Sequence, residues 1–304
     1  MTEISIIVMG CGGFGRQLLQ HIVSCRVVGL CDSKSLVVVP DVWTTGLSDN
    51  FLLEVCWMNG SGECQVFKDS ESTTTIEDIA SLLGKSIGLA LVACSASSET
   101  ISVLNLVVDF DCCIVLANKK PRTSKMEDYD KLVSHPCCIW HKSTVGAGFL
   151  GTLGYVLSEV EDGKPFSQVA LILSQLLGQR LSMDSIKIES LYLEAIGPNV
   201  TSIDKFLGNV SLPGKDIQER VHKASLNRNV LRYVCVIEGH GDVGIRELPK
   251  NSAFGRLRGS DNVLEIYSRY YSGQPLVSQG AGAGNDTTAC GVLADIIDVW
   301  DLFP

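Results

Sequence analysis

The sequence predicts an α/β fold: a doubly wound parallel sheet of Rossmann-like type, followed by a second, smaller α+β domain. Three observations carry this. Short apolar runs alternate with helical patterns through the first half of the chain. A G-x-G-x-x-G stands at the first run-to-helix turn. The second half then changes to longer strand-like runs, one after another.

In the first half the runs that read as strands are 4–9, 27–31, 89–94, 113–117 and 139–144. The helical stretches between them are 13–24, 49–57, 75–83, 97–109 and 124–134. Thr75-x-x-Asp78 and Ser124-x-x-Glu127 have capping-box spacing at helix starts, with Asp78 a shorter acid than the motif favours. No turn chemistry separates Cys25 from Arg26, so this helix must unwind at its end or the strand must start late. In the second half, helical signals at 167–177, 203–207 and 216–226 mix with strand runs at 186–191, 230–237, 242–248, 263–270 and 276–279. That pattern predicts an antiparallel α+β domain over 148–281. The first domain then comprises 1–147 and a returning C-terminal helix over 282–304.

The motif is Gly10-Cys11-Gly12-Gly13-Phe14-Gly15. The first glycine permits the tight strand-to-helix turn, and the second lets backbone approach a pyrophosphate. The third lets helix and strand pack closely, while the helix N-terminus offers unpaired N–H groups to the phosphate. Asp32 follows Gly12 by twenty residues at the end of the second apolar run, where a ribose-binding acid belongs, with Ser33 and Lys34 beside it. A carboxylate there favours NAD, because it repels a 2′-phosphate. Lys34 offsets that repulsion, and both NAD and NADP stay open.

Two further segments have a functional and a structural reading. Lys119 emerges at the C-terminal end of the run 113–117, the ligand edge of such a sheet. A cation there suits a substrate carboxylate or a developing alkoxide; equally, Lys119 and Lys120 are a solvated pair before Pro121. The glycines 280–284, followed by Asn285-Asp286-Thr287-Thr288 at a helix start, are either a second anion or cofactor contact or an ordinary turn and N-cap.

Composition narrows the class. The 304 residues carry a net charge of -9, with acids and bases mixed along the chain and no basic stripe for nucleic acid or a membrane surface. No apolar stretch reaches the length of a membrane span. A strand begins by Ile4, leaving no room for a leader, so a cytoplasmic location is expected. The 12 cysteines include the adjacent pairs Cys112-Cys113 and Cys137-Cys138 but no C-x-x-C. Cys94, Cys112, Cys113 and Cys235 lie in apolar runs, where reduced cysteine acts as a small hydrophobe rather than a metal ligand or nucleophile.

Several segments together resemble the homoserine dehydrogenase family, most closely its plant form: MGCGGFGRQLLQHIVSC, CDSKSLVV, ASSET, ANKKP, STVGAG, GTLGYVL, ELPKNSAFGRLRGSDNVLEIY and GAGAGNDTTA. The resemblance implies NAD(P)-dependent hydride transfer between homoserine and aspartate semialdehyde, a step of threonine, methionine and isoleucine biosynthesis. It implies a Rossmann domain plus a substrate and dimerisation domain, and a homodimer or a heterodimer with a full-length homologue. The plant pathway is plastidic. On this resemblance Gly10, Gly12, Gly13, Phe14, Gly15, Asp32, Ser33 and Lys34 hold the dinucleotide. Ser97 and Ser98 lie near the nicotinamide ribose, and Gly282, Gly284, Asn285 and Thr287 approach the nicotinamide end. Lys119 matches the lysine at the reacting centre, and Val145 and Ala147 retain the carbonyls of a monovalent-cation site.

The departures bear on activity. The family's long segment between V-G-A-G and G-T-x-x-Y is reduced here to Phe149-Leu150. After Val169 the chain passes straight to Ala170, without the stretch in which the family keeps its homoserine-binding acids and its proton-transfer lysine. Lys164, Asp184 and the pair Asp216-x-x-x-Arg220 lack the spacing to replace them. Lys142 stands where the family has a glutamate at the cation site, and Ala93 where the plant form has an aspartate. Without its base and acidic clamp, the site is expected to turn homoserine over poorly; the alternatives are a catalytically inactive dinucleotide-binding or regulatory homologue, or a splice or decayed product. The missing segments are also expected to expose apolar faces such as 169–177.

Overall fold

The computed structural model describes residues 4–22, 25–32, 35–57, 75–135, 139–140, 165–189, 214–258, 261–281, 285–300 and 302. The chain divides into two compact units, Met1–Ala147 with Gly284–Pro304, and Gly148–Ala283.

The first unit is a six-stranded sheet of β1 (Ser5–Met9), β2 (Arg26–Cys31), β3 (Leu36–Val38), β4 (Leu89–Ala93), β5 (Cys113–Leu116) and β6 (Ile139–Trp140), in the order β3-β2-β1-β4-β5-β6. All neighbours are parallel except the β2–β3 pair. Strand β1 reads SIIVM and is buried along its whole length, as a parallel strand covered on both faces must be. Its alternation sends Ile6 and Val8 to one face and Ile7 and Met9 to the other.

On the first face lie α1 (Gly13–His21), α2 (Asp49–Trp57) and α9 (Asn285–Trp300), through Leu18, Leu52, Val55, Ala289, Val292, Ile296 and Val299. On the second lie α3 (Ile76–Leu83), α4 (Thr100–Val107) and α6 (Met126–Val133), through Ile79, Leu83, Leu104 and Leu132. The short α5 (Lys120–Thr123) follows β5. The doubly wound parallel sheet is therefore the architecture of this unit.

Local chemistry explains where elements start and stop. Thr75 caps α3 in a complete capping box: its hydroxyl accepts from Asp78 N at 3.2 Å, and Asp78 Oδ2 accepts from Thr75 N at 2.8 Å. The short acid suffices. The Ser124–Glu127 box expected by spacing does not form. Pro121 starts α5 as a separate turn, α6 begins at Met126 with Lys125 at its N-cap, and Ser124 Oγ instead lies 3.3 Å from Asp128 Oδ2. Helix α1 ends at His21 rather than 24, so the missing turn before Arg26 is supplied by early unwinding. Strand β3 was not expected. It adds antiparallel to β2 through a tight turn in which Ser35 N donates to Asp32 Oδ1 at 2.8 Å and Asp32 N to Ser35 O at 3.0 Å.

The second unit holds α7 (Pro165–Leu176), β7 (Lys187–Ile188), α8 (Gly214–Leu226), β8 (Asn229–Ile237), β9 (Gly241–Pro249), β10 (Asp261–Ile266) and β11 (Leu276–Ala281). Strands β8 and β9 form an antiparallel hairpin from Asn229↔Pro249 to Ile237↔Gly241. Strand β7 joins β9 in parallel, a departure from the all-antiparallel expectation, and β10–β11 form a separate antiparallel pair. The small core joins Ala170 of α7, Ile186 and Val243, with Tyr233 and Cys235 against them.

Helix α7 runs without a break through Val169-Ala170, where the resemblance places a missing segment. The expected apolar exposure of 169–177 is corrected here: Val169 to Ile172 are buried, and only Leu176 and Leu177 stand exposed. The expected helix at 203–207 lies outside the described residues. Among the described residues no helix is long and apolar enough to cross a membrane.

Candidate functional site

The sheet order reverses beside β1, whose neighbours β2 and β4 lead away in opposite directions along the chain. Ligands of open α/β sheets bind outside the carboxyl ends of strands at such a point. Here the loops after β1 and β4 meet. Gly10 has a φ of +108°, and a Cβ on it would fall 2.8 Å from Ser95 N. Gly10 N also donates to Cys31 O at 2.8 Å, which ties the turn to the end of β2. Only glycine satisfies both the backbone conformation and the contact.

The remaining glycines are set by different constraints. A Cβ on Gly15 would lie 1.9 Å from the Gly10 carbonyl oxygen, so helix and strand approach as closely as backbones allow. A Cβ on Gly12 would meet nothing within 4 Å, and Gly12 and Gly13 are exposed at the start of α1. That open space adjoins a helix start whose first turn contains no acidic residue, so the partial positive charge of the exposed N–H groups is not offset there. The arrangement suits an anion. Phe14 is half-buried and packs on the core beneath.

Around this turn the structure gathers most of the residues singled out in the sequence. Asp32 stands at the end of β2, its carboxylate fixed by Ser35 N. Ser97 and Ser98 open the segment before α4, with Ser97 N donating to Ser95 Oγ at 3.1 Å and Glu99 N to Ser97 Oγ at 3.2 Å. Lys119 is half-buried at the N-cap of α5. Asn285 opens α9 with its Nδ2 3.3 Å from where a Gly13 Cβ would be, which brings two helix starts together. Neighbouring Asp286 is held by α1: its Oδ1 accepts from Gln17 Nε2 at 2.8 Å and lies 3.2 Å from His21 Nε2. Thr287 is exposed in the first turn of α9. Ser33, Lys34, Gly282, Gly284, Val145 and Ala147 lie outside the described residues.

Sequence reasoning missed Ser95 and Asn118. Asn118 Nδ2 donates to Ser95 O at 2.6 Å, and Asn118 Oδ1 accepts from Lys120 N at 3.0 Å. The second bond is an Asx turn, and an asparagine at a strand end two residues before the helix is its signal.

The cysteines around the turn are not poised for chemistry. Cys11 Sγ lies 3.4 Å from Cys31 O. Burial pushes the Cys31 thiol up to about 11 and raises Cys94 well above its ordinary value, with neighbouring Cys11 and Cys31 adding to the shift in Cys94. Both stay neutral near pH 7. Among the described residues no group of three His, Cys, Asp or Glu side chains is placed to hold a metal ion. Behind Lys119 the guanidinium of Arg122 is buried 5.7 Å from the Tyr129 ring centroid.

A family model described as homoserine dehydrogenase matches residues 162–297. A homoserine dehydrogenase of Emericella nidulans is 36% identical over 159 residues, covering 48% of this chain and 43% of that protein. Over residues 162–297 the chain is thus similar to the homoserine dehydrogenase family. It spans less than half the length of the first two curated homoserine dehydrogenase relatives it matches. Among solved structures, a Candida auris protein of unknown function superposes with a TM-score of 0.81 at 22% identity, covering 100% of this chain and 99% of the other. A hyperthermophilic archaeal homoserine dehydrogenase in complex with NADPH gives a TM-score of 0.59 at 18% identity, with 99% of each chain covered. These superpositions show a shared fold.

Proposed function

We propose that this chain binds a nicotinamide dinucleotide, NAD or NADP, on the glycine edge of its first unit, and that it is a homoserine dehydrogenase-type oxidoreductase with impaired turnover. One observation carries the binding: the open space at Gly12, beside Gly10 and Gly15, where steric contact requires glycine. The residues present fit the group. The amides of Gly12 to Phe14 would take the pyrophosphate, Asp32 a ribose, and Ser97, Ser98, Lys119, Asn285 and Thr287 the nicotinamide side. When bound, the nicotinamide accepts or delivers a hydride. Lys119 would stabilise the oxygen of homoserine or aspartate semialdehyde and exchange its proton.

The unbroken helix α7 supports the impairment, because it leaves no segment at Val169-Ala170 to carry further acids or a second lysine. The same observation favours a second reading, a dinucleotide-binding or regulatory homologue without turnover. Cys31, Cys94 and Cys235 are reduced thiols, which suits a reducing, cytoplasmic location. Exposed Ile266, Tyr267, Leu276 and Val277 on the β10–β11 hairpin favour pairing with a second copy or a longer homologue.

The test is homoserine-dependent reduction of NAD⁺ and NADP⁺ by the purified chain, with Lys119→Ala as control. Slow turnover abolished by the substitution supports the oxidoreductase. Dinucleotide binding without turnover supports the second reading, and no dinucleotide binding by folded protein removes both.

A further inference from the structure

We propose that Asn118 is the positioning residue of this edge, acting through Lys119. Its side-chain amide latches the end of β5 to the β4 loop directly beneath the glycine turn. The proposal rests on the dinucleotide reading above.

Asn118 Nδ2 reaches across to the Ser95 carbonyl at 2.6 Å, while its Oδ1 takes the Lys120 N–H at 3.0 Å. The Lys119 backbone lies between these two attachments. Ser95 is fixed in turn, since its Oγ accepts from Ser97 N and its own N sits 2.8 Å from the Cβ position of Gly10. One amide therefore joins the loops after β4 and β5, which carry the serines and the lysine, and Ser95 in turn packs on the glycine turn after β1. The bonds require both a donor and an acceptor on a short, branched side chain. Aspartate keeps the acceptor for Lys120 N but places an oxygen against the Ser95 oxygen, and alanine supplies neither group. Ala117 N, which donates to Ala93 O at 3.1 Å, ends the β4–β5 ladder just before this residue. Beyond it the side chain of Asn118 takes over the joining of the two loops.

The experiment is a double-mutant cycle of Asn118→Ala and Lys119→Ala read by NADH affinity, with melting temperature recorded for each variant. A second arm measures the rate at which acetic anhydride modifies Lys119 relative to exposed Lys125, by mass spectrometry without cofactor. Asn118→Ala is expected to weaken NADH binding about tenfold in the native background, but less than about twofold once Lys119 is alanine. The Lys119:Lys125 modification ratio is expected to change by about threefold or more. Equal losses in the two backgrounds, or an unchanged ratio, overturn the proposal. If the native chain binds no NADH, the dinucleotide reading fails, and the modification ratio alone decides the role of Asn118. Should Asn118→Ala not fold, Asn118→Asp breaks the Ser95 bond and is read by the same two measurements.

Discussion

Replacing Gly12 by alanine separates ligand binding from folding, because the structure places nothing within 4 Å of the added methyl group. The residue is the N-cap of α1, where alanine is worse than glycine by about 1 kcal/mol at most. A loss of that size lowers the melting temperature of a domain of this scale by about 2–4 °C. The methyl occupies the space through which a pyrophosphate would approach the helix N–H groups. Losing one charge-assisted hydrogen bond costs about 1.5–3 kcal/mol, which is about ten- to a hundredfold in affinity. The assay is a titration of NADH into native and Gly12→Ala protein by ligand fluorescence, with thermal melts of both. A variant that melts within about 4 °C of the native chain but binds at least about tenfold more weakly fits the reasoning. One that binds NADH with native affinity refutes it, since no phosphate then lies over Gly12.

Gly15→Ala should behave in the opposite way. Its Cβ would sit 1.9 Å from a backbone oxygen, so the protein should lose about 3 kcal/mol or more and recover poorly in soluble form, as read by urea unfolding. Thr75→Ala removes one half of a capping box and should cost about 1 kcal/mol in the same measurement without changing NADH affinity. Stability should also fall at alkaline pH. Cys31 titrates at about 11 in the fold against 9.0 when exposed, so the unfolded chain releases this proton first, and the fold weakens as pH rises from about 9 to about 11. Cys235, raised to about 12, acts in the same direction, and Cys31→Ala should make the decline in melting temperature with pH less steep.

Much of the first unit was legible because its signals are local. The glycine motif, the apolar runs and Thr75 each act within a few residues, so their consequences follow from spacing. What escaped depends on residues distant in sequence. That Asn118 meets Ser95 follows from β4 and β5 being neighbours, which the sequence implies only through the topology. Asn285 reaches Gly13 only because α9 returns to pack on α1. Strand β3 is three residues long, too short for an alternation to register, although the Asp32–Ser35 turn that creates it uses ordinary turn residues. The failed Ser124 box shows a local rule overridden by a neighbour, since Pro121 starts a turn of helix on its own account.

The buried face of 169–172 bears on the segment that the resemblance places after Val169. A helix interrupted by a lost segment would be left with apolar residues facing water, but here Ala170 packs against Ile186 and Val243.

The central claim is that a nicotinamide dinucleotide lies across the glycine edge of the first unit, and a crystal structure of the chain grown with NADH tests it most directly. The account predicts the pyrophosphate on the amides of Gly12 to Phe14, a ribose at Asp32 and Lys119 within reach of the nicotinamide. A folded chain whose crystals hold NADH elsewhere, or exclude it at saturating concentration, contradicts it.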